Sequence, residues 1–247
     1  MLRCSATLVE AYLRKLETDD NKDPRDHVEK WIDEPVNFSQ LETLLWEHDF
    51  GSDCEWVNVF FKNLHTPVLS TLAFSVESEG PLEKFTVEES SFISRLPLNL
   101  RTLMIEAASD IEVDELGPLL GPNSPLEYLC TRKCGTSALT TIFDALLPSR
   151  HAPGSRVRMP LLKSLSISDW YGPEDYAEEP WELTPEEIEP LVAALERRFA
   201  EGGIFKIELS GFGVDWMPSA QKRLRDLVGG GVELEIIEDG EPVHWLR

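Results

Sequence analysis

One hexad recurs along this 247-residue chain: leucine, two residues, leucine or an equivalent, one residue, and a further apolar side chain. It is written LETLLW (41–46), LSTLAF (69–74), LEKFTV (82–87), LRTLMI (100–105), LEYLCT (126–131) and LKSLSI (162–167), and more loosely IFKIEL (204–209). A last alternating run, VELEII (232–237), closes the series. Such repetition constrains the fold strongly, because each unit leaves an apolar side that only the next unit can cover. Pro67, Pro81, Pro125 and Pro160 stand one or two residues ahead of four of the hexads.

Helical spacing fills the intervals. Val57, Phe60, Phe61 and Leu64 follow Asp53 on one face, and Leu139, Ile142, Phe143 and Leu146 repeat that spacing. Ile188, Leu191, Val192, Leu195 and Phe199 repeat it again. They follow Thr184-Pro185-Glu186-Glu187, a capping box with proline at the first helical position. Pro190 predicts a kink or a later start for that helix. Ser219 to Val228 reads as a helix stopped by Gly229-Gly230-Gly231. Strands alternating with helices imply parallel pairing. The hexad offsets are 28, 13, 18, 26, 36 and 42 residues, so the short ones predict units with little helix and the long ones loop insertions. Val9, Tyr12, Leu13 and Leu16 share one helical face, and Val28, Trp31 and Ile32 another. These predict a helical cap over residues 1–37, ahead of seven or eight degenerate units over 38–247.

The hexads resemble those of leucine-rich-repeat proteins. That resemblance implies an irregular α/β solenoid with a curved parallel sheet on its concave side and helices and loops on its convex side. In the family consensus the position three residues beyond the hexad holds Asn or Cys. Here Cys134 occupies it after LEYLCT, while the other units place Asp49, Glu77, Ser90, Ala108, Trp170 and Phe212 there. The irregular spacing, the proline-led hexads and MPLLKSLSIS (159–168) with LTPEEIEPLVAALERR (183–198) look like the C-terminal repeat region of fungal F-box proteins. The resemblance implies a substrate-recognition surface of a ubiquitin ligase. The adaptor-binding module would precede the repeats, and the 37 residues there lack its Leu-Pro opening. The expectation is therefore a receptor half, a truncated copy, or a protein acting without the ligase, with a ligase adaptor as partner if an F-box is supplied elsewhere.

Charge narrows the partners. With 23 Lys+Arg against 45 Asp+Glu the net charge is −22, which disfavours nucleic acid and anionic membrane surfaces. The first twenty residues fit an amphipathic helix rather than a leader, and no run is long enough to span a membrane. Four cysteines in a chain of this length fit reduced thiols in the cytoplasm or nucleus. Segments 35–100 and 159–203 carry −7 and −8 of the total.

No catalytic constellation stands. Asp49-Phe50-Gly51 lacks the other parts of a kinase, and Gly211-Phe212-Gly213 finds Trp216 where the third glycine of a dinucleotide fingerprint belongs. Cys130 and Cys134 lack the partner pair of a metal site, and His48, Asp49, Asp53 and Cys54 suit a strand end and helix cap. The expectation is a protein-binding module, not an enzyme, with no cofactor and no metal.

Strand alternation predicts which side chains the concave face offers. The charged and bulky ones are Glu47, Lys84, Glu88, Met104, Glu106, Tyr128, Arg132, Lys206 and Glu208, four acids against three bases. Cys130 is expected on this face and Cys134 in the turn behind it. A second candidate surface is the acidic loop 169–183, where Trp170, Tyr171, Asp175, Tyr176 and Trp181 mix anchors with steering charge; the plainer expectation is a solvated insertion whose aromatics pack on the neighbouring units. Three functions stay open: a substrate receptor, a free-standing acidic repeat protein sequestering a basic partner, and a doubly wound α/β enzyme whose strands imitate repeats.

Overall fold

The hexad leucines set the register of a sheet. The computed structural model describes residues 7–13, 35–48, 55–76, 81–82, 87–108, 110–111, 116–147, 159–168, 182–199 and 203–246. Nine strands form one open sheet, and their order in space follows their order in the chain. They are β1 (Glu10–Leu13), β2 (Thr43–His48), β3 (Thr71–Val76), β4 (Thr102–Glu106), β5 (Tyr128–Arg132), β6 (Ser164–Ser168), β7 (Gly203–Ser210), β8 (Val232–Glu238) and β9 (Glu241–Pro242). β1 to β8 pair in parallel; β9 alone returns antiparallel, against the end of β8.

Helices lie in the connections: α1 (Glu55–Asn63), α2 (Val87–Ser94), α3 (Gly117–Leu120), α4 (Thr136–Leu146), α5 (Pro185–Arg198) and α6 (Pro218–Gly229). The protein is thus mixed α/β with a large, mostly parallel sheet and no closed barrel. Among the described residues the strand order shows no reversal of the kind that marks the crevice of a doubly wound sheet. Among the described residues no helix is long and apolar enough to cross a membrane.

Backbone hydrogen bonds repeat from unit to unit. Leu41, Leu69, Leu100 and Leu162 each donate an N–H to the carbonyl three residues back, at 3.1–3.2 Å, closing a turn ahead of the strand. Two successive N–H groups then share one carbonyl of the preceding unit. Glu42 and Thr43 donate to Val9, Ser70 and Thr71 to Glu42, Arg101 and Thr102 to Ser70, Glu127 and Tyr128 to Arg101, and Lys163 and Ser164 to Glu127. At the far end Ala107 and Lys133 take left-handed backbone (φ 60° and 54°) and donate to Arg132 and Ser168 of the next strand. Gly211 takes the same conformation and donates to the Asp239 carboxylate at 2.9 Å. Shorter parallel bridges join the connections themselves: Val36–Asn37 with Leu64–His65, Pro81–Leu82 with Asp110–Ile111, and Glu182–Leu183 with Gly213–Val214.

Alternation buries one side of the strands from β2 to β8. Leu44, Trp46, Leu72, Phe74, Leu103, Ile105, Leu129, Leu165, Ile167, Ile207 and Leu209 join helix residues such as Phe61, Phe92, Ile142, Leu191 and Leu224 in one continuous core. Trp46 and Phe61 rings lie 4.1 Å apart, and Phe92 packs tilted against Phe61 at 5.1 Å. α5 begins at Pro185 as its capping box requires, with the Thr184 N–H donating to the Glu187 carboxylate at 2.8 Å. The helix also runs through Pro190. That residue's missing N–H leaves only the carbonyl of Glu186, an exposed residue that water can reach.

Three expectations are corrected. Glu10–Leu13 is a strand, not part of a helical cap, so the sheet starts ahead of residue 38. LVEAYL (8–13) is itself a hexad with alanine in the second leucine position; Leu8, Ala11 and Leu13 pack against the core. The face proposed for residues 24–32 lies outside the described residues. LEKFTV (82–87) is not a strand of the main sheet, because Leu82 belongs to a two-residue bridge and Val87 opens α2. Removing it merges the two short offsets, and each connection from β2 to β8 then carries a helix. Residues paired in one row (Glu10, Thr43, Thr71, Thr102, Tyr128, Ser164, Lys206 and Glu235) are separated by 33, 28, 31, 26, 36, 42 and 29 residues.

Candidate functional site

The side of the sheet turned away from the core is built from three rows in register. The first is the row just given. The second holds Tyr12, Leu45, Ala73, Met104, Cys130, Ser166, Glu208 and Ile237, and the third includes Glu47, Ser75, Glu106, Arg132, Ser168 and Ser210. Small residues flank the larger ones. Tyr128, 48% exposed, stands between Thr102 and Ser164 with Cys130 and Arg132 further along its own strand. Met104 is half-buried beside Cys130.

Charges on this face are paired across and along strands. Glu106 and Arg132 are register partners, 3.6 Å apart. Lys206 Nζ reaches Glu208 at 2.6 Å, and that hydrogen bond holds the ammonium above its ordinary pKa. Just ahead of Tyr128, Glu127 takes Lys163 at 2.5 Å and Arg101 at 3.1 Å. The Lys163 hydrogen bond holds the Glu127 carboxyl below its ordinary value and raises Lys163 in turn. This trio ties the starts of β4, β5 and β6. The sequence reading passed over it, although Arg, Glu and Lys at the second position of three successive hexads signal it.

The two cysteines divide as expected. Cys130 lies on the open face, where burial pushes its thiol up. Cys134 is buried in the turn after β5, 3.5 Å from the carbonyls of Ile105 and Arg132, and burial pushes its thiol up to about 11. Ala108 and Phe212 are buried at the equivalent turn positions, which apolar side chains fill. Ser90 instead lies in α2, and Asp49, Glu77 and Trp170 fall outside the described residues.

Of the nine residues expected on the face, Glu47, Met104, Glu106, Tyr128, Arg132, Lys206 and Glu208 are brought onto it. Glu88 is not, because it sits in the first turn of α2, where a carboxylate suits the helix start. Lys84 lies outside the described residues, as do Trp170, Tyr171, Asp175, Tyr176 and Trp181 of the acidic loop. Among the described residues no group of three or more His, Cys, Asp or Glu side chains is gathered closely enough to hold a metal ion; Asp49, Asp53 and Cys54 lie outside them.

A scan against models of protein families finds no match for this sequence, and a search of curated proteins finds none either.

Proposed function

We propose that the chain is a leucine-rich-repeat solenoid and that its open sheet face is a protein-binding surface without catalytic chemistry. The solenoid reading is supported by the neighbour-only strand order and by the carbonyl-sharing pattern that recurs unit after unit. The binding reading is carried by one observation: Tyr128 stands exposed between Thr102 and Ser164, on the same side of the sheet as Met104, Glu106 and Arg132. Tyrosine and arginine are the side chains that most often dominate binding energy. Through the resemblance of its hexads, the chain serves as the substrate-recognition region of an F-box-like ubiquitin-ligase receptor.

The test is affinity capture with the full chain and with a variant carrying Tyr128→Ala and Arg132→Ala. Loss of specific partners in the variant, with ligase adaptor subunits among the proteins captured by wild type, supports the reading. Retention of every partner by the variant removes the face from consideration. Adaptors absent from an otherwise specific set would leave the binding surface and remove the ligase.

The acidic-sequestration reading also has an observation behind it. Glu10, Glu47, Glu233 and Glu235 stand at the two ends of the face. Binding that weakens steeply with salt would favour it, and salt-insensitive binding would dismiss it.

A further inference from the structure

Among the described residues nine large apolar side chains stand exposed, and six of them lie where the parallel strands begin: Val9, Val68, Leu98, Tyr128, Leu161 and Ile204. Tyr12 is inside β1, while Val87 and Met217 mark helix starts. Apolar side chains scattered singly need no explanation, but a row along one edge marks a contact surface. The row is continued by Pro67, Pro97, Pro125 and Pro160 in the turns that precede the strands. Leu98 is 83% exposed and Ile204 66%.

The row ends in an open cleft of about 580 Å³ at the start of β7 and β8, lined by Ile204, Lys206, Val228, Val232, Glu233 and Glu235. Its lining mixes apolar side chains with two exposed carboxylates and Lys206, whose charge Glu235 also feels. Lys206 is occupied by Glu208, and among the described residues neither Glu233 nor Glu235 lies within ion-pair distance of a cation. A lysine or arginine suits this shape, since its aliphatic stem can lie on apolar surface while its head meets carboxylates.

Resting on the reading of the chain as a binding module, we propose that this leading edge takes a partner segment presenting a row of apolar side chains that ends in a lysine or arginine. The apolar row lies over Leu98, Tyr128, Leu161 and Ile204, and the basic residue enters the cleft between Glu233 and Glu235. From β4 to β8 there are four strand spacings, so the contact spans about 19 Å at ~4.8 Å each. A helix of roughly 13 residues matches that length. The net charge of −22 draws such a segment in, and the carboxylates at one end fix its direction.

The probe is a fluorescein-labelled helical peptide of about 14 residues with leucines along one face and a lysine at one end. Its control carries glutamate in place of that lysine. Fluorescence anisotropy against the full chain should show the lysine peptide bound and the glutamate peptide bound roughly tenfold more weakly. A Leu98→Ser, Leu161→Ser, Ile204→Thr variant should lose roughly tenfold or more for both, and a Glu233→Gln, Glu235→Gln variant should stop distinguishing them. All three altered apolar residues are exposed, so circular dichroism should be unchanged. Equal binding of both peptides, no binding of either, or full binding by the apolar-row variant overturns the proposal. So does a wild-type dimer in sedimentation that the apolar-row variant abolishes, because the row then belongs to a second copy. Partner loss with Tyr128→Ala and Arg132→Ala, alongside peptide binding indifferent to the apolar row, would sink this proposal and leave the binding-module reading standing.

Discussion

The Lys163 ammonium donates to the Glu127 carboxylate at 2.5 Å, joining the starts of the neighbouring strands β5 and β6. The bond holds the Glu127 pKa below its unfolded value. Its contribution is therefore complete above the unfolded carboxylate pKa, and it is lost as pH falls through the lower, folded one. Glu127→Gln should lower the melting temperature slightly at neutral pH, since exposed pairs contribute little. The gap between variant and wild type should close in acid. A gap that widens on acidification would contradict this sign.

Arg198 reaches from the last turn of α5 to the backbone carbonyls of Met159 and Leu162, in the turn ahead of β6. Burial pushes its pKa down to about 10, so it is still a cation at neutral pH. Met159 is itself buried and held at φ 45°. Arg198→Met should remove the charge-assisted bond to that carbonyl, which keeps the Leu162 N–H, at a cost of about 1.5–3 kcal/mol in urea unfolding. An unchanged midpoint would mean the guanidinium does not hold the turn.

Phe61 is the hub of the aromatic cluster, touching Trp46, Phe60 and Phe92 with ring centroids 4.1, 5.5 and 5.1 Å away. Phe61→Ala should cost about 3–5 kcal/mol through lost burial and the cavity left behind. Tyr128→Ala, on the open face, should change stability by less than about 0.5 kcal/mol. Similar losses at the two sites would mean the sheet's sides have been assigned wrongly.

Iodoacetamide near neutral pH should leave Cys134 unlabelled in the folded protein and modify Cys130 only slowly. Burial raises both thiols, Cys134 to about 11, and the thiolate is the reactive form. Urea should equalise them. Peptide mass spectrometry reads both sites, and prompt labelling of Cys134 without denaturant would refute its burial.

Five hexads could be read as strands because leucine marks two inward positions in each, and Thr43, Thr71, Thr102, Tyr128 and Ser164 fall in one row as alternation requires. β1 escaped notice because Ala11 stands at an inward position, where its small side chain hides the period of two and lets Val9, Tyr12, Leu13 and Leu16 imitate a helix. LEKFTV misled in the opposite direction, since leucine and phenylalanine three apart suit a helix as well as a hexad. Glu88 was lost from the face with it. The apolar leading edge was invisible for a different reason: Leu98, Leu161 and Ile204 sit in unlike local sequences, and only the strand order brings the starts of their strands to one edge of the sheet.

Strand succession without reversal separates two properties that most folds couple. Paired residues on adjacent strands stand one strand spacing apart, whereas the chain between them varies from 26 to 42 residues. A connection can therefore gain or lose a dozen residues without moving Tyr128 relative to Ser164 or Thr102. The sheet acts as a fixed ruler and the connections as free length, so a change in a loop leaves the spacing of the open-face side chains intact.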